Sequence, residues 1–161
     1  MIKRNPQLTL RLDAALPDSA ARWRDGAPLT YVGGTVVLKL DTDCKEATLD
    51  AGELHLPLPP EATPRQVQDT AESWLRAGAQ RVIADQVALA ARQLGRPSPA
   101  VSLSFAARAG WVQADVKGGE ATLRFQWRLV EQPLPVIAQV VAQAVAKLPR
   151  VEATLDLFAL A

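Results

Sequence analysis

The stretch from Pro133 to Leu148, PLPVIAQVVAQAVAKL, constrains this chain more than any other. Pro133 and Pro135 suit the opening turn of a helix, and Pro149 cannot continue one, so the stretch reads as a single bounded helix. It is apolar almost all the way round. Only Gln139, Gln143 and Lys147 interrupt it, recurring every four residues, and at that spacing three side chains stack on one side. A helix this apolar belongs in a core. Its one polar row faces either solvent or a cleft, and that choice decides whether the chain has a site.

The rest of the chain supplies strands and one long helix. Leu8, Leu10 and Leu12 alternate with polar residues, as do Val36, Leu38 and Leu40 and then Leu54, Leu56 and Leu58, the period of half-buried strands. Asp25-Gly26 and Gly33-Gly34 flank a short strand at Leu29 to Val32. Pro57 marks its run as an edge strand or a strand end. These segments predict an N-terminal antiparallel meander. Thr63-Pro64-Arg65-Gln66 is a helix start, with Thr63 as N-cap and Gln66 three residues after it. An apolar face from Val67 to Leu94 carries the helix to Gly95 and Pro97, about 45 Å at 1.5 Å per residue, with Gly78 a point where it could bend. Val101, Leu103 and Phe105 predict a strand. A hairpin turning at Lys117-Gly118-Gly119-Glu120 follows, and its return strand points Leu123, Phe125, Trp127 and Leu129 inward. Val151 to Leu160 predicts a short final helix, with a strand as the alternative. The expected class is α+β, with helices on one face of a small antiparallel sheet. The 161 residues make a single domain, 1–161, with an N-terminal β subdomain over 1–62 and an αβ subdomain over 63–161.

Charge and cysteine content narrow the function. With 18 basic and 17 acidic residues well mixed, the net charge is +1, which leaves no footprint for nucleic acid. The one cysteine, Cys44, excludes an internal disulfide and a cysteine metal cluster, and fits a cytoplasmic setting. No apolar run is long enough for a signal peptide or a membrane span.

Trp74-Leu75-Arg76, Trp111, Gln126-Trp127-Arg128-Leu129-Val130, Pro133, Val136-Ile137 and Val140-Val141 resemble the YgjP-like family, zinc-metallopeptidase-like proteins related to the SprT and WLM groups. That family reads W-R-L-I-x-x-P-x-x-V-I-x-x-V-V-x-H-E-L-A-H-L, and the chain follows it without a gap from Trp127 to Leu148. Trp23-Arg24-Asp25-Gly26, Leu29, Tyr31 and Gly33 are similar to its N-terminal strands. The resemblance implies a zincin-like fold in which Pro133–Leu148 is the buried "active-site" helix. It also implies a metal site that this chain does not spell. The family's H-E-x-x-H falls on Gln143 to Lys147, with Gln143 and Lys147 at the ligand positions and Ala144 at the general base. The third ligand position falls on Ala153. Two His one turn apart bind zinc, and the Glu activates the bound water. The only His here is His55, far off in the strand region.

The reading is therefore a catalytically inactive, metallopeptidase-like domain with no catalytic residue, metal or cofactor assigned, acting if at all on a protein partner or on a second copy of itself. Gln139, Glu152, Arg128 and Trp111 are the residues that would line a leftover cleft, with Lys147 and Glu152 as an ion pair in the space of the metal. The alternative is a metal-independent hydrolase of nucleotides or phosphoesters, using Glu152, Lys147 and Arg128. A purely structural domain is the third. Arg76 with Arg128 could take an anion, but both suit exposed positions. Trp74, Trp111 and Trp127 suit a core, and Asp41-Thr42-Asp43 suits a solvated turn rather than a calcium loop. His55 has no Ser or Cys partner in view.

Overall fold

The computed structural model describes residues 22–105 and 110–149. The expected strand at Leu8–Leu12, the final helix and the positions Glu152 and Ala153 lie outside them. The described residues are α+β, with two sheets and two helices. By contact the chain divides into two compact units, Met1–Leu29 with Thr35–Ser73, and Thr30–Gly34 with Trp74–Ala161.

The first sheet, which lies in the first unit except at Thr30, Tyr31 and Gly34, has strands β1 (Pro28–Tyr31), β2 (Gly34–Leu40), β3 (Thr48–Asp50) and β4 (Glu53–Leu56), in the order β1-β2-β4-β3. β4 pairs antiparallel with β3 but parallel with β2, so the expected antiparallel meander is corrected to a mixed sheet. The cause is the loop Asp41–Ala47. It carries the chain past one strand's width, and the two-residue turn Ala51-Gly52, both at positive φ, folds β4 back into the gap. β3 has only three residues, all exposed, and leaves no alternation to read. Pro57 stands just past the end of β4, which is an inner strand. Trp23, Ala27, Leu29, Val36, Leu38, Leu54, Leu56, Val67 and Ala71 are buried and form this unit's core.

Helix α1 spans Pro64–Gln93, 30 residues, without a break. Its start is the expected capping box: the Gln66 N–H donates to Thr63 Oγ1 at 3.2 Å and the Thr63 N–H to Gln66 Oε1 at 2.8 Å. Leu75, Ala79, Ile83, Val87 and Ala91 recur every four residues and are buried. Gly78 does not bend the helix. It makes room for Tyr31, whose hydroxyl would stand 3.1 Å from a Cβ there and whose ring lies 4.8 Å from that of Trp74.

The second sheet repeats the topology of β2, β3 and β4 in the first. β5 (Ala100–Ser104), β6 (Val112–Lys117) and β7 (Glu120–Gln126) lie in the order β5-β7-β6, with β7 parallel to β5 and antiparallel to β6. In both sheets a hairpin follows a strand, and the return arm of the hairpin slots between that strand and its own partner arm; the first sheet adds β1 outside β2. The return arm here ends at Gln126. Trp127–Glu131 is a 3-10 turn rather than more strand, although Trp127, Leu129 and Val130 are all buried. Helix α2 follows at Leu134–Ala146.

One contact holds the turn between β1 and β2 against the entrance to α2. Val32 and Gly33 both have positive φ, 48° and 76°. A β-branched residue in that region is strained by about 1–3 kcal/mol, so the surroundings must impose it. The Val32 N–H donates to Val130 O at 2.7 Å, and the Gly33 N–H to Glu131 O at 3.0 Å. Gly33 approaches so closely that an added Cβ would lie 2.8 Å from Pro133 Cα. Gly33→Ala should lower unfolding free energy by about 2 kcal/mol or more in urea titration, since backbone must move. Gly34→Ala, whose Cβ meets nothing nearer than Tyr31 O at 3.6 Å, should stay within about 0.5 kcal/mol of the parent.

The other end of α2 is held by Arg96, after α1. Its Nη1 donates to Val145 O at 2.7 Å, which also accepts the Leu148 N–H at 3.2 Å, and to Leu148 O at 2.8 Å, adding donors at the end of the helix. Arg96→Met keeps the apolar stem and removes the donors. It should cost about 1.5–3 kcal/mol and speed amide exchange selectively over the last turn of α2.

Candidate functional site

α2 is buried along one face only, through Ile137, Val141, Ala144 and Val145, with Leu148 just beyond. The expected buried helix is corrected to this extent. Leu134 and Val136 at its entrance are exposed, and so are Ala142 and Ala146. The last two are small enough to leave little apolar surface in water, which is why the composition overstates the burial. Gln139, Gln143 and Lys147 are all exposed. Of the positions singled out on this helix, only Ala144 turns inward, and it brings a methyl group.

α2 packs beside β6, the strand that follows Trp111. Trp111 is 37% exposed, so it is not the core residue its type suggested. Trp127 is the core tryptophan, and Trp74 is half-buried. The Trp127 ring has two guanidinium neighbours, Arg128 at 4.7 Å and Arg76 at 5.6 Å from its centroid, and Arg76 also lies 4.8 Å from the ring of Phe105. These are cation–π distances. Arg128 further donates to Glu131 Oε2 at 3.1 Å. Arg76 and Arg128 are therefore gathered on one indole, an arrangement their separation in sequence does not reveal. The arrangement fixes the 3-10 turn that leads into α2.

The first unit holds a separate charged row. Lys39 and Asp41 come from the end of β2, Glu53 and His55 from β4. Lys39 Nζ lies 3.6 Å from Glu53 Oε2, His55 Nε2 lies 3.7 Å from Glu53 Oε1, and His55 Nδ1 lies 3.1 Å from Asp41 Oδ2. Asp41 also accepts the Asp43 N–H at 2.9 Å through its other oxygen. Asp41-Thr42-Asp43 is thus an Asx turn that closes the crossover and orients His55. Cys44 donates its thiol to Asp41 O at 3.1 Å. Desolvation, and then the Asp41 carboxylate, push that thiol above its ordinary range, which favours an inert neutral form. This row and Arg96 were not read from the sequence. Finding the row required the β2–β4 register, which places Lys39 opposite His55 and Val37 opposite Glu53.

The donor set on α2 does not fit zinc. Where the resemblance puts two imidazoles and a carboxylate, Gln143, Ala144 and Lys147 carry a carboxamide, a methyl and an ammonium. Among the described residues no group of three or more His, Cys, Asp or Glu is placed to hold a metal ion. No described helix is long and apolar enough to cross a membrane.

No curated protein and no solved structure matches the chain. A protein family does, over residues 6–142, and it carries the description YgjP-like, metallopeptidase domain. The match takes in β1 to β7, α1 and most of α2, ending one residue before Gln143. With far more than half of its length inside that match, the chain belongs to the YgjP-like family.

Proposed function

We propose that this chain is a YgjP-like domain without the zinc-dependent chemistry of the family, serving as a binding or structural module. The observation that carries the reading is the residue set at the four motif positions, Gln143, Ala144, Lys147 and Ala153. A catalytic zinc takes three protein ligands and an open position. Gln143 offers a neutral oxygen, Lys147 a cation that repels the metal, and Ala153 nothing. Ala144 cannot move a proton. Single replacements would suggest a shifted site; replacement of every ligand together with the base suggests an emptied one. Natural loss and deliberate redesign leave the same residues behind.

We assign the chain the zincin-like arrangement of the family, with α2 in the place of the metal-binding helix. The exposure of Gln139, Gln143 and Lys147 supports a surface role for that row rather than a closed cleft. The pairing of Lys147 with Glu152 lies outside the described residues. A metal-independent hydrolase would need carboxylates and cations converging beside α2. Of its named residues, Arg128 is engaged with Glu131, which leaves that alternative with little support.

Elemental analysis of protein purified with added zinc and then dialysed should find far less than one zinc per chain; stoichiometric zinc would overturn the proposal. The combined replacement Gln143→His, Ala144→Glu, Lys147→His and Ala153→His should restore binding, and a folded quadruple variant that takes no zinc would count against α2 as the metal helix. Lys147→Met should change unfolding free energy by no more than about 0.5 kcal/mol, as for a solvated lysine. A loss of several kcal/mol would instead reveal a paired, enclosed Lys147.

A further inference from the structure

Among the described residues no strand pairs with the outer edge of β6. In the order β5-β7-β6 the strand has one neighbour, and all of its residues but Val112 are exposed. Its pairing with β7 runs without a bulge from Val112–Phe125 to Lys117–Glu120, and it contains no proline. The opposite edge, β5, is different: Pro97 and Pro99 run up to it, and neither can donate to a neighbouring strand. β6 has neither a bulge nor a proline along its edge.

The backbone phase of that edge follows from one hydrogen bond. The Gln126 N–H donates to Trp111 O at 2.8 Å, so Trp111, and with it Gln113, Asp115 and Lys117, spend their backbone groups on β7. The N–H and C=O groups of Val112, Ala114 and Val116 point outward. These three side chains also share the sheet face of Phe125 and Leu123, which are fully buried, so the apolar face continues to the edge and stops there. Val116 is 44% exposed.

We propose that this edge pairs with the same edge of a second copy, antiparallel about a two-fold axis at Ala114. The outward phase allows only registers that match the even-numbered residues with one another. Centring on Asp115 would set two carboxylates face to face, which is repulsive. Centring on Val116 would run Ala114 against the Gly118 turn and pair only half the strand. Centring on Ala114 pairs the full length: Val112 with Val116 of the second copy, Ala114 with Ala114, Gln113 with Asp115, and Trp111 with Lys117. No like charges stand opposite, an ammonium meets an indole, and the apolar faces of two three-stranded sheets become one.

Sedimentation over concentrations reaching roughly 100 µM, above micromolar dissociation constants, should show a reversible dimer. Ala114→Pro removes an N–H that β7 does not use, on an edge where proline is tolerated, and should leave a folded monomer with unchanged far-ultraviolet dichroism. Should that variant misfold, Val116→Lys places a charge that the monomer leaves in water and the dimer would bury against Val112. It should raise the dissociation constant at least tenfold. In a Cys44→Ser background, Ala114→Cys should oxidise to a disulfide-linked pair and Gln113→Cys should not. A parent chain that is monomeric throughout, or a dimer indifferent to both Val116→Lys and the position of the cysteine, overturns the pairing.

Discussion

A strained two-residue turn is the point on which much of the second unit depends. Val32 and Gly33 sit at positive φ because Val130 and Glu131 accept their N–H groups and Pro133 leaves no space for a side chain at Gly33. Those acceptors end the 3-10 turn, with two residues between it and the Leu134 start of α2. The turn therefore fixes where that helix starts, as Arg96 fixes where it ends. Between these fixed ends, α2 needs only one apolar face to stay in place. This explains how a helix of alanine, valine and glutamine can hold position while half of it meets water.

The two sheets solve the same problem in the same way. Each places its last strand in chain order in the middle, parallel to the strand before the hairpin and antiparallel to its hairpin partner. An inner strand has both sets of backbone groups paired, so it can be the most apolar: Leu54 and Leu56 on β4, Leu123 and Phe125 on β7 are all fully buried. The outer arms, β3 and β6, carry short or charged sequences and stay exposed. The repeat is one of topology, with no sequence repeat behind it.

Much of this was legible in advance wherever the signal is local. The capping box at Thr63 and Gln66, the unbroken run of α1, the Gly118-Gly119 turn and the strands either side of it depend on neighbours within four residues. Strand pairing does not. Nothing in the alternation of Val36, Leu38 and Leu40 on β2, or of Leu54 and Leu56 on β4, distinguishes a parallel neighbour from an antiparallel one, because the period of two is the same for both. Trp127 and Leu129 kept the inward pattern of a strand but lie in a 3-10 turn, where the long-range bonds from Val32 and Gly33 override it. The candidate site was legible in its residue identities alone. Its exposure depended on which face of α2 packs.

By itself the amino-acid sequence determined the chemistry available: one histidine, one cysteine, and along α2 a polar row of two amides and an ammonium. It also determined the places of the helices, since caps, prolines and four-residue spacing act locally. The tertiary structure alone decided which strands are neighbours, that Arg76 and Arg128 share the Trp127 ring, that Arg96 closes the end of α2, and that Gln139, Gln143 and Lys147 lie in water. The physical reason is common to all of these. Hydrogen bonds and packing between residues far apart in the chain depend on register and close approach, and neither is written in the order of the residues.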